Sequence, residues 1–290
     1  MKNILITGAN GFIATQFIKK YQNKYKFTCV SHKGPLTLKH LESNPKLIND
    51  IDVVLNFAGS NIGAKRWTVK RKDELLSSRI ITTDRLVKLF NQYNSKAHFI
   101  NASAIGIYDP NILSDDSTKI EYNRYDNFSM QLVKQWEQSA LRYTGDLTIT
   151  RFGVVLSSYG GAFSKILRPF LFYVGGRIGN GLQSLPWISL VDLLNILDLI
   201  IINRQTGVYN LVAPQIITNQ QLTNSIGKIW KRPTFINMPA VIIKLLFGQM
   251  GEELFLNNLI VKSLKLETLT YKFNYPNIDN CLQAIKEKKT

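Results

Sequence analysis

The stretch Lys2 to Ala14, KNILITGANGFIA, constrains this chain more than any other. Ile4-Leu5-Ile6 is a continuous apolar run, the pattern a parallel strand buried on both faces requires. The run breaks at Thr7-Gly8-Ala9-Asn10-Gly11 and passes straight into Phe12-Ile13, which opens a helix. Gly8 permits a sharp turn off the strand, and Gly11 lets backbone approach a pyrophosphate closely. Gly8, Asn10, Gly11, Phe12 and Ile13 then form a loop whose free N–H groups face that anion, and the helix dipole favours its charge. Ala14 stands where helix and strand need a third small residue. A glycine pair alone is weak evidence; the strand before it and the helix after it supply the context. The alternative is a strand–turn–helix joint that binds nothing. The stretch predicts a dinucleotide site.

With 290 residues, 45% hydrophobic and 19% charged, the chain can bury a sizeable core of a globular protein. Cys29 and Cys281 lie far apart and match no metal spacing, so we expect a reducing cytoplasm, no disulfide framework and no metal. The N-terminus runs directly into the first strand, so no signal peptide is expected. Leu193 to Ile202 is too short to span a bilayer and contains Asp198, so no membrane partner is expected. The net charge of +16 suits nucleic acid, anionic lipid or an anionic substrate. Its densest clusters are Lys65-Arg66, Lys70-Arg71-Lys72 and Lys286 to Lys289. Aromatic and basic residues do not interleave as in a single-strand binder, which favours a solvated basic surface over nucleic-acid binding.

Lys26 to Val30 reads as the second strand, and its end meets the adenosine ribose. NAD-selective sites place an acid there, whereas this chain has Ser31-His32-Lys33. Those residues suit a 2′-phosphate and predict NADP(H). Residues 37–50 read as an irregular helix interrupted by Pro45, and Asp52 to Phe57 as a buried strand carrying Asn56. Ala58 and Gly59 follow it and leave room for adenine and ribose. Residues 68–93 read as a long charged helix on which Arg79 and Thr83 share a face, either toward the cofactor or toward solvent.

His98 to Ala102 is the next strand, and it brings Ser103 and Tyr108 near where a nicotinamide would lie. Residues 126–144 form a helix carrying Lys134, Trp136 and Glu137, and Leu147 to Phe152 a strand running into Gly153. This alternation predicts an α/β fold, a Rossmann-type doubly wound parallel sheet with helices on both faces. Ser157 to Gly181 is glycine-rich and basic, a candidate substrate pocket or lid. Ser189 and Thr218 are expected helix caps, and helices are expected over Met238–Phe247 and Ile278–Lys286. Trp187 suits stacking on a substrate or simple core packing.

With these residues in place, the chain resembles an atypical extended short-chain dehydrogenase/reductase of the epimerase family, the nucleoside-diphosphate-sugar-epimerase-like proteins. The resemblance spans nearly the whole chain. It rests on TGANGFIA (7–14), DVVLNFAG (52–59), KRW (65–67) with SR (78–79), NASAIGIY (101–108), KQWE (134–137), TRFGVVL (150–156) and LPWISLVD (185–192). It implies an NADP(H)-binding domain over residues 1–237 with interleaved substrate-side loops. It also implies a small helical C-terminal domain over 238–290, a small-molecule substrate and a homodimer.

One departure matters. The superfamily's reductases and epimerases use a Tyr followed four residues later by a Lys that lowers the phenol's pKa. Residues 126–137, DNFSMQLVKQWE, hold no tyrosine, and the superfamily's spacing puts Ser129 and Val133 at those places. The hydroxyl place on the preceding strand falls on Ala104, with Ser103 one residue earlier. Two readings remain. Ser103, Tyr108 and Lys134, with Tyr125 in reserve, could serve an oxidoreductase or epimerase. Alternatively, the chain is a catalytically weak NADP(H)-binding regulatory or partner protein.

Overall fold

Apolar runs such as Ile4-Leu5-Ile6 and Val53-Val54-Leu55 form the buried centres of two neighbouring strands of the main sheet. A computed structural model describes residues 1–289. Ten strands follow in order: β1 (Asn3–Thr7), β2 (Lys26–Val30), β3 (Val53–Asn56), β4 (His98–Ala104), β5 (Leu113–Ser114), β6 (Leu147–Phe152), β7 (Val154–Leu156), β8 (Trp187–Ser189), β9 (Gly207–Leu211) and β10 (Ile260–Val261). Between them lie α1 (Phe12–Tyr21), α2 (Leu38–Ser43), α3 (Val69–Tyr93), α4 (Phe128–Ala140), α5 (Ala162–Leu171), α6 (Leu190–Asn203), α7 (Asn219–Trp230) and α8 (Ala240–Phe247). A final helix spans Ile278–Lys286.

Six strands form one parallel sheet in the order β2-β1-β3-β4-β6-β9. The order reverses at β1, so a crevice opens at the carboxyl ends of β1 and β3, where such sheets bind ligands. Alternation within β1 covers both faces. Ile4 and Ile6 pack with Phe17 of α1 and Leu193 and Leu197 of α6. Leu5 packs on the other side with Val54 and with Leu86 and Phe90 of α3. That double cover is why the run is apolar without interruption.

Helix ends follow local chemistry. Thr68, Asn127, Ser189 and Thr218 accept hydrogen bonds from amides in the first turns of α3, α4, α6 and α7. Residues 37–50 divide into α2 and a short 3-10 turn that starts at Pro45. α4 is shorter than residues 126–144 because Asn127 caps it from outside.

The glycine-rich stretch 157–181 holds a helix, α5, which glycine density hid. Phe163 and Phe170 recur two turns apart on it and are both buried. β7 and β8 pair as a small second parallel sheet, and β5 pairs with β10. Residues past 238 pack back onto the first part of the chain. Leu282 and Ile285 of the last helix join Leu222 and Ile226 of α7 around Trp187, which is fully buried as core. The buried Asp192 carboxylate accepts from the amides of Asn274 (2.7 Å) and Tyr275 (3.1 Å) and from the Tyr271 hydroxyl (3.0 Å), tying down this segment.

Candidate functional site

The loop after β1 is a cradle built from backbone. Gly8 has φ +63°, and a Cβ there would stand 2.7 Å from the Phe57 carbonyl oxygen, so only glycine fits. A Cβ on Gly11 would stand 2.9 Å from the Gly8 carbonyl oxygen, to which the Gly11 amide donates at 2.7 Å. Gly11 is the N-cap of α1, no side chain caps this end, and no acid lies in the first turn. Asn10 and Gly11 are exposed, and Phe12 and Ile13 half-buried. An anion such as a pyrophosphate fits this end, because the helix amides lack a side-chain acceptor. The Phe12 ring packs beneath the Gly160-Gly161 turn that leads into α5.

At the far end of the crevice, the Ser31 amide donates to the Leu36 carbonyl (3.1 Å), closing a turn that leaves His32 and Lys33 exposed. Residues 26–41 contain no acid. After β3, Gly59 is exposed, and a Cβ there would meet the Arg79 guanidinium at 2.9 Å. Arg79 of α3 lies over the Trp136 ring (5.1 Å), donates to the Leu75 carbonyl and is half-buried. Among the described residues it has no carboxylate partner. Burial, with Arg71 nearby, lowers its pKa to about 10. The following loop is held from two sides: Arg71 donates to the Asn61 carbonyl, and Lys165 of α5 reaches the Gly63 carbonyl at 2.9 Å.

Asn56 does not face the crevice. It is fully buried, accepts from the Thr7 hydroxyl (2.7 Å), and donates to Thr83 (2.8 Å) and Asn101 (2.6 Å). Trp136 adds a bond to Thr83 at 3.1 Å, so Thr83 faces the interior. Asn56 therefore spends its side chain on aligning the ends of β1, β3 and β4. Gly153 is also buried, and a Cβ there would stand 3.0 Å from the Pro186 carbonyl oxygen.

The three side chains expected as catalytic candidates are turned inward. Ser103 is buried and donates to Glu137 at 2.5 Å. Glu137, itself without exposure, takes both arms of Arg151 at 2.8 Å and the Tyr122 hydroxyl at 2.9 Å. Arg151 also donates to the Tyr108 hydroxyl (2.7 Å), which lies within reach of Asn210 Oδ1 (2.7 Å) and the Asp115 carbonyl (2.9 Å). Burial opposes the guanidinium charge of Arg151, but Glu137 outweighs it and raises the pKa. Burial raises the Tyr108 phenol against the opposing pull of Arg151. Lys134 spends its ammonium on the Glu121 and Arg124 carbonyls, both at 2.7 Å, and burial lowers its pKa. Tyr125 is exposed.

Ser103, Tyr108 and Lys134, expected as candidates for catalysis, thus have their polar atoms engaged by interior partners. At the superfamily's tyrosine place, the Ser129 hydroxyl is buried with no partner. Beside it, Glu253 from beyond α8 accepts the Phe128 amide (3.2 Å) and the Ser129 amide (2.7 Å), closing the N-terminus of α4. Glu137 in KQWE and Arg151 in TRFGVVL stand in separate motifs, and only the fold pairs them. The available signal was one charge of each sign inside runs otherwise bound for the core.

A model of the NAD dependent epimerase/dehydratase family matches residues 4–211. The chain belongs to this family. A second model, a domain of unknown function designated DUF1731, matches residues 238–285. Epimerase family proteins of Staphylococcus saprophyticus and Staphylococcus haemolyticus are each 32% identical to the chain. The first alignment covers 98% of this chain and 99% of the relative; the second covers 96% and 97%. The crystal structure of the human epimerase family protein SDR39U1 (isoform 2) with NADPH superposes with a TM-score of 0.90 at 30% identity, covering 98% of this chain and 99% of that one. A nucleoside-diphosphate sugar epimerase from Corynebacterium glutamicum shares the fold (TM-score 0.79, 22% identity), covering 98% of this chain and 58% of its own. The family's fold is one that binds a nicotinamide dinucleotide, and this chain has it. No helix among the described residues is long and apolar enough to cross a membrane.

Proposed function

We propose that this family member is an NADP(H)-dependent oxidoreductase or epimerase-like enzyme acting on a small anionic or nucleotide-linked substrate. The acid-free turn after β2 carries the choice of cofactor, because a 2′-phosphate needs donors and cations where a 2′-hydroxyl needs a carboxylate. The NADPH held by the human relative supports it.

Gly8, Asn10, Gly11, Phe12 and Ile13 would hold the pyrophosphate by backbone amides, and Ser31, His32 and Lys33 the 2′-phosphate. Ala58 and Gly59 would line the adenosine, with Arg79 behind Gly59 as an unpaired cation within reach of negative charge. Bound NADP(H) would supply or accept hydride. Ser103, fixed by Glu137, would hold the β4 end in shape beside it. Gly153 would keep the β6 end tight against Pro186.

The test is a titration of purified protein with NADPH and with NADH, followed by nicotinamide fluorescence and melting temperature. NADPH should bind at least about tenfold tighter, as one lost charged contact predicts. The double change His32→Glu and Lys33→Glu should weaken NADPH far more than NADH. Equal weakening of both would overturn the 2′-phosphate assignment.

A second reading rests on the inward commitment of Ser103, Tyr108 and Lys134: a protein that binds NADP(H) and reports its occupancy to a partner. Steady cofactor oxidation with any added carbonyl compound or sugar nucleotide would eliminate it.

A further inference from the structure

One face of the molecule is both apolar and basic, and neither the cofactor crevice nor the core accounts for it. The turn after α5 exposes Phe172 (66%) and Val174 (52%) beside Tyr173. Backbone bridges between Gly176 and Phe235, and between Ile178 and Met238, set this turn against the segment that enters α8. Phe235 there is 75% exposed. On α8, Val241, Ile242, Leu245 and Leu246 fall at i, i+1, i+4 and i+5 and share one side. That side is open: Val241 is 75% and Leu245 73% exposed, while Ile243 alone in the helix is buried. Exposed apolar side chains gathered on adjoining segments mark a binding surface.

Its charge says what binds. Residues 157–182 and 213–251 contain no Asp or Glu, yet they hold Lys165, Arg168, Arg177, Lys228, Lys231, Arg232 and Lys244. Of these, Lys228 and Lys244 meet a carboxylate among the described residues, Asp279 at 3.4 Å and Glu252 at 2.6 Å. Arg232 lies over the exposed Tyr173 ring at 4.4 Å and Arg168 over Phe172 at 6.0 Å, so cations rim the apolar surface itself. Two copies of this face would meet like charge to like charge. An apolar patch with aromatic residues and a cationic rim matches the boundary between headgroups and acyl chains of an anionic bilayer.

We propose that this face docks peripherally on an anionic phospholipid membrane, with the Phe172 turn and the open side of α8 inserted shallowly among the headgroups. The proposal stands apart from the cofactor assignment. It concerns lying on a bilayer, not crossing one, and it gives part of the +16 charge a task.

The test is co-sedimentation of the full chain with vesicles of phosphatidylcholine, with and without phosphatidylserine. The chain should pellet with the phosphatidylserine vesicles and much less with neutral ones, and raised salt should release it. The double change Val241→Ser and Leu245→Ser, at exposed positions, should weaken binding about tenfold with an unchanged melting temperature. Arg168→Glu with Lys231→Glu should do the same and abolish the salt dependence. Failure of the unaltered chain to pellet, or equal pelleting of the serine variant, would overturn the proposal. So would a dimer in sedimentation equilibrium that the serine variant makes monomeric while vesicles capture nothing.

Discussion

Where β1, β2 and β3 end, the chain offers glycine and bare amides; where β4, β6 and β9 end, it offers charge already satisfied. The first edge is shaped by backbone. Gly8 and Gly11 are there because a Cβ would strike a carbonyl, and no side chain fills the helix end behind them. The second edge is plugged by side chains. Glu137 and Arg151, both fully enclosed, gather Ser103, Tyr108 and Tyr122 around one ion pair. The contrast teaches that one sheet can separate holding a cofactor from holding itself together. Changes at the first edge should cost affinity, and changes at the second should cost stability.

The largest effect should come from the plug. Arg151→Met leaves the Glu137 carboxylate buried without its counter-charge and should destabilise the fold by about 3–5 kcal/mol, read by denaturant unfolding. If it costs less than about 1 kcal/mol, the plug is not structural and the comparison fails. Thr83→Val removes the acceptor of both Asn56 and Trp136, whose N–H groups stay buried. It should cost about 1–3 kcal/mol. NADPH affinity of the folded fraction should change little, since Thr83 reaches the cofactor edge only through the buried Asn56 side chain.

At the open edge the pattern should invert. Gly11→Ala puts a methyl 2.9 Å from the Gly8 carbonyl oxygen. It should weaken NADPH about tenfold, about 1.4 kcal/mol, while lowering the melting temperature of the apo protein far less than Arg151→Met does. A large loss of stability with unchanged affinity would reverse the comparison.

The smallest effect vanishes at neutral pH. His98 is buried at the start of β4 with Nε2 2.7 Å from the Thr148 hydroxyl, which in turn donates to the Gln205 carbonyl. The Thr148 proton is therefore used, His98 donates through Nε2, and its Nδ1 is left without a partner. Burial lowers its pKa to about 4, against an ordinary value of 6.5. Between these values the unfolded chain binds a proton that the folded one refuses, so this group's contribution falls as pH drops from about 6.5 to 4. His98→Gln should flatten that part of the melting-temperature profile. An unchanged profile would assign the acid loss elsewhere.

How much of this was legible follows the same division. The cofactor edge is local: strand, glycine turn and helix are consecutive from Lys2 to Ala14, so pattern and turn chemistry suffice. The strand over Leu147–Phe152 and the last helix over Ile278–Lys286 were equally plain, because their periods are short-range. The inward turn of Tyr108 was not. It depends on Arg151 and Asn210, far away in sequence and adjacent only after β6 and β9 pair in register. Position near a strand end suggested a catalytic phenol; the pairing across the sheet gave that phenol other partners. Asn56 shows the same limit, since its place at a strand end was legible but its inward direction was not. α5 was hidden by the glycines around it, although Phe163 and Phe170 carried its spacing.

Glu253 closes the start of α4 from beyond α8, with both carboxylate oxygens on amides more than a hundred residues earlier. The chain's tail is thus a fitted part and not an interchangeable cassette. A chimera joining residues 1–237 to an unrelated tail would inherit an open helix end beside Ser129, and an engineer transplanting this scaffold must carry that one acidic residue with it.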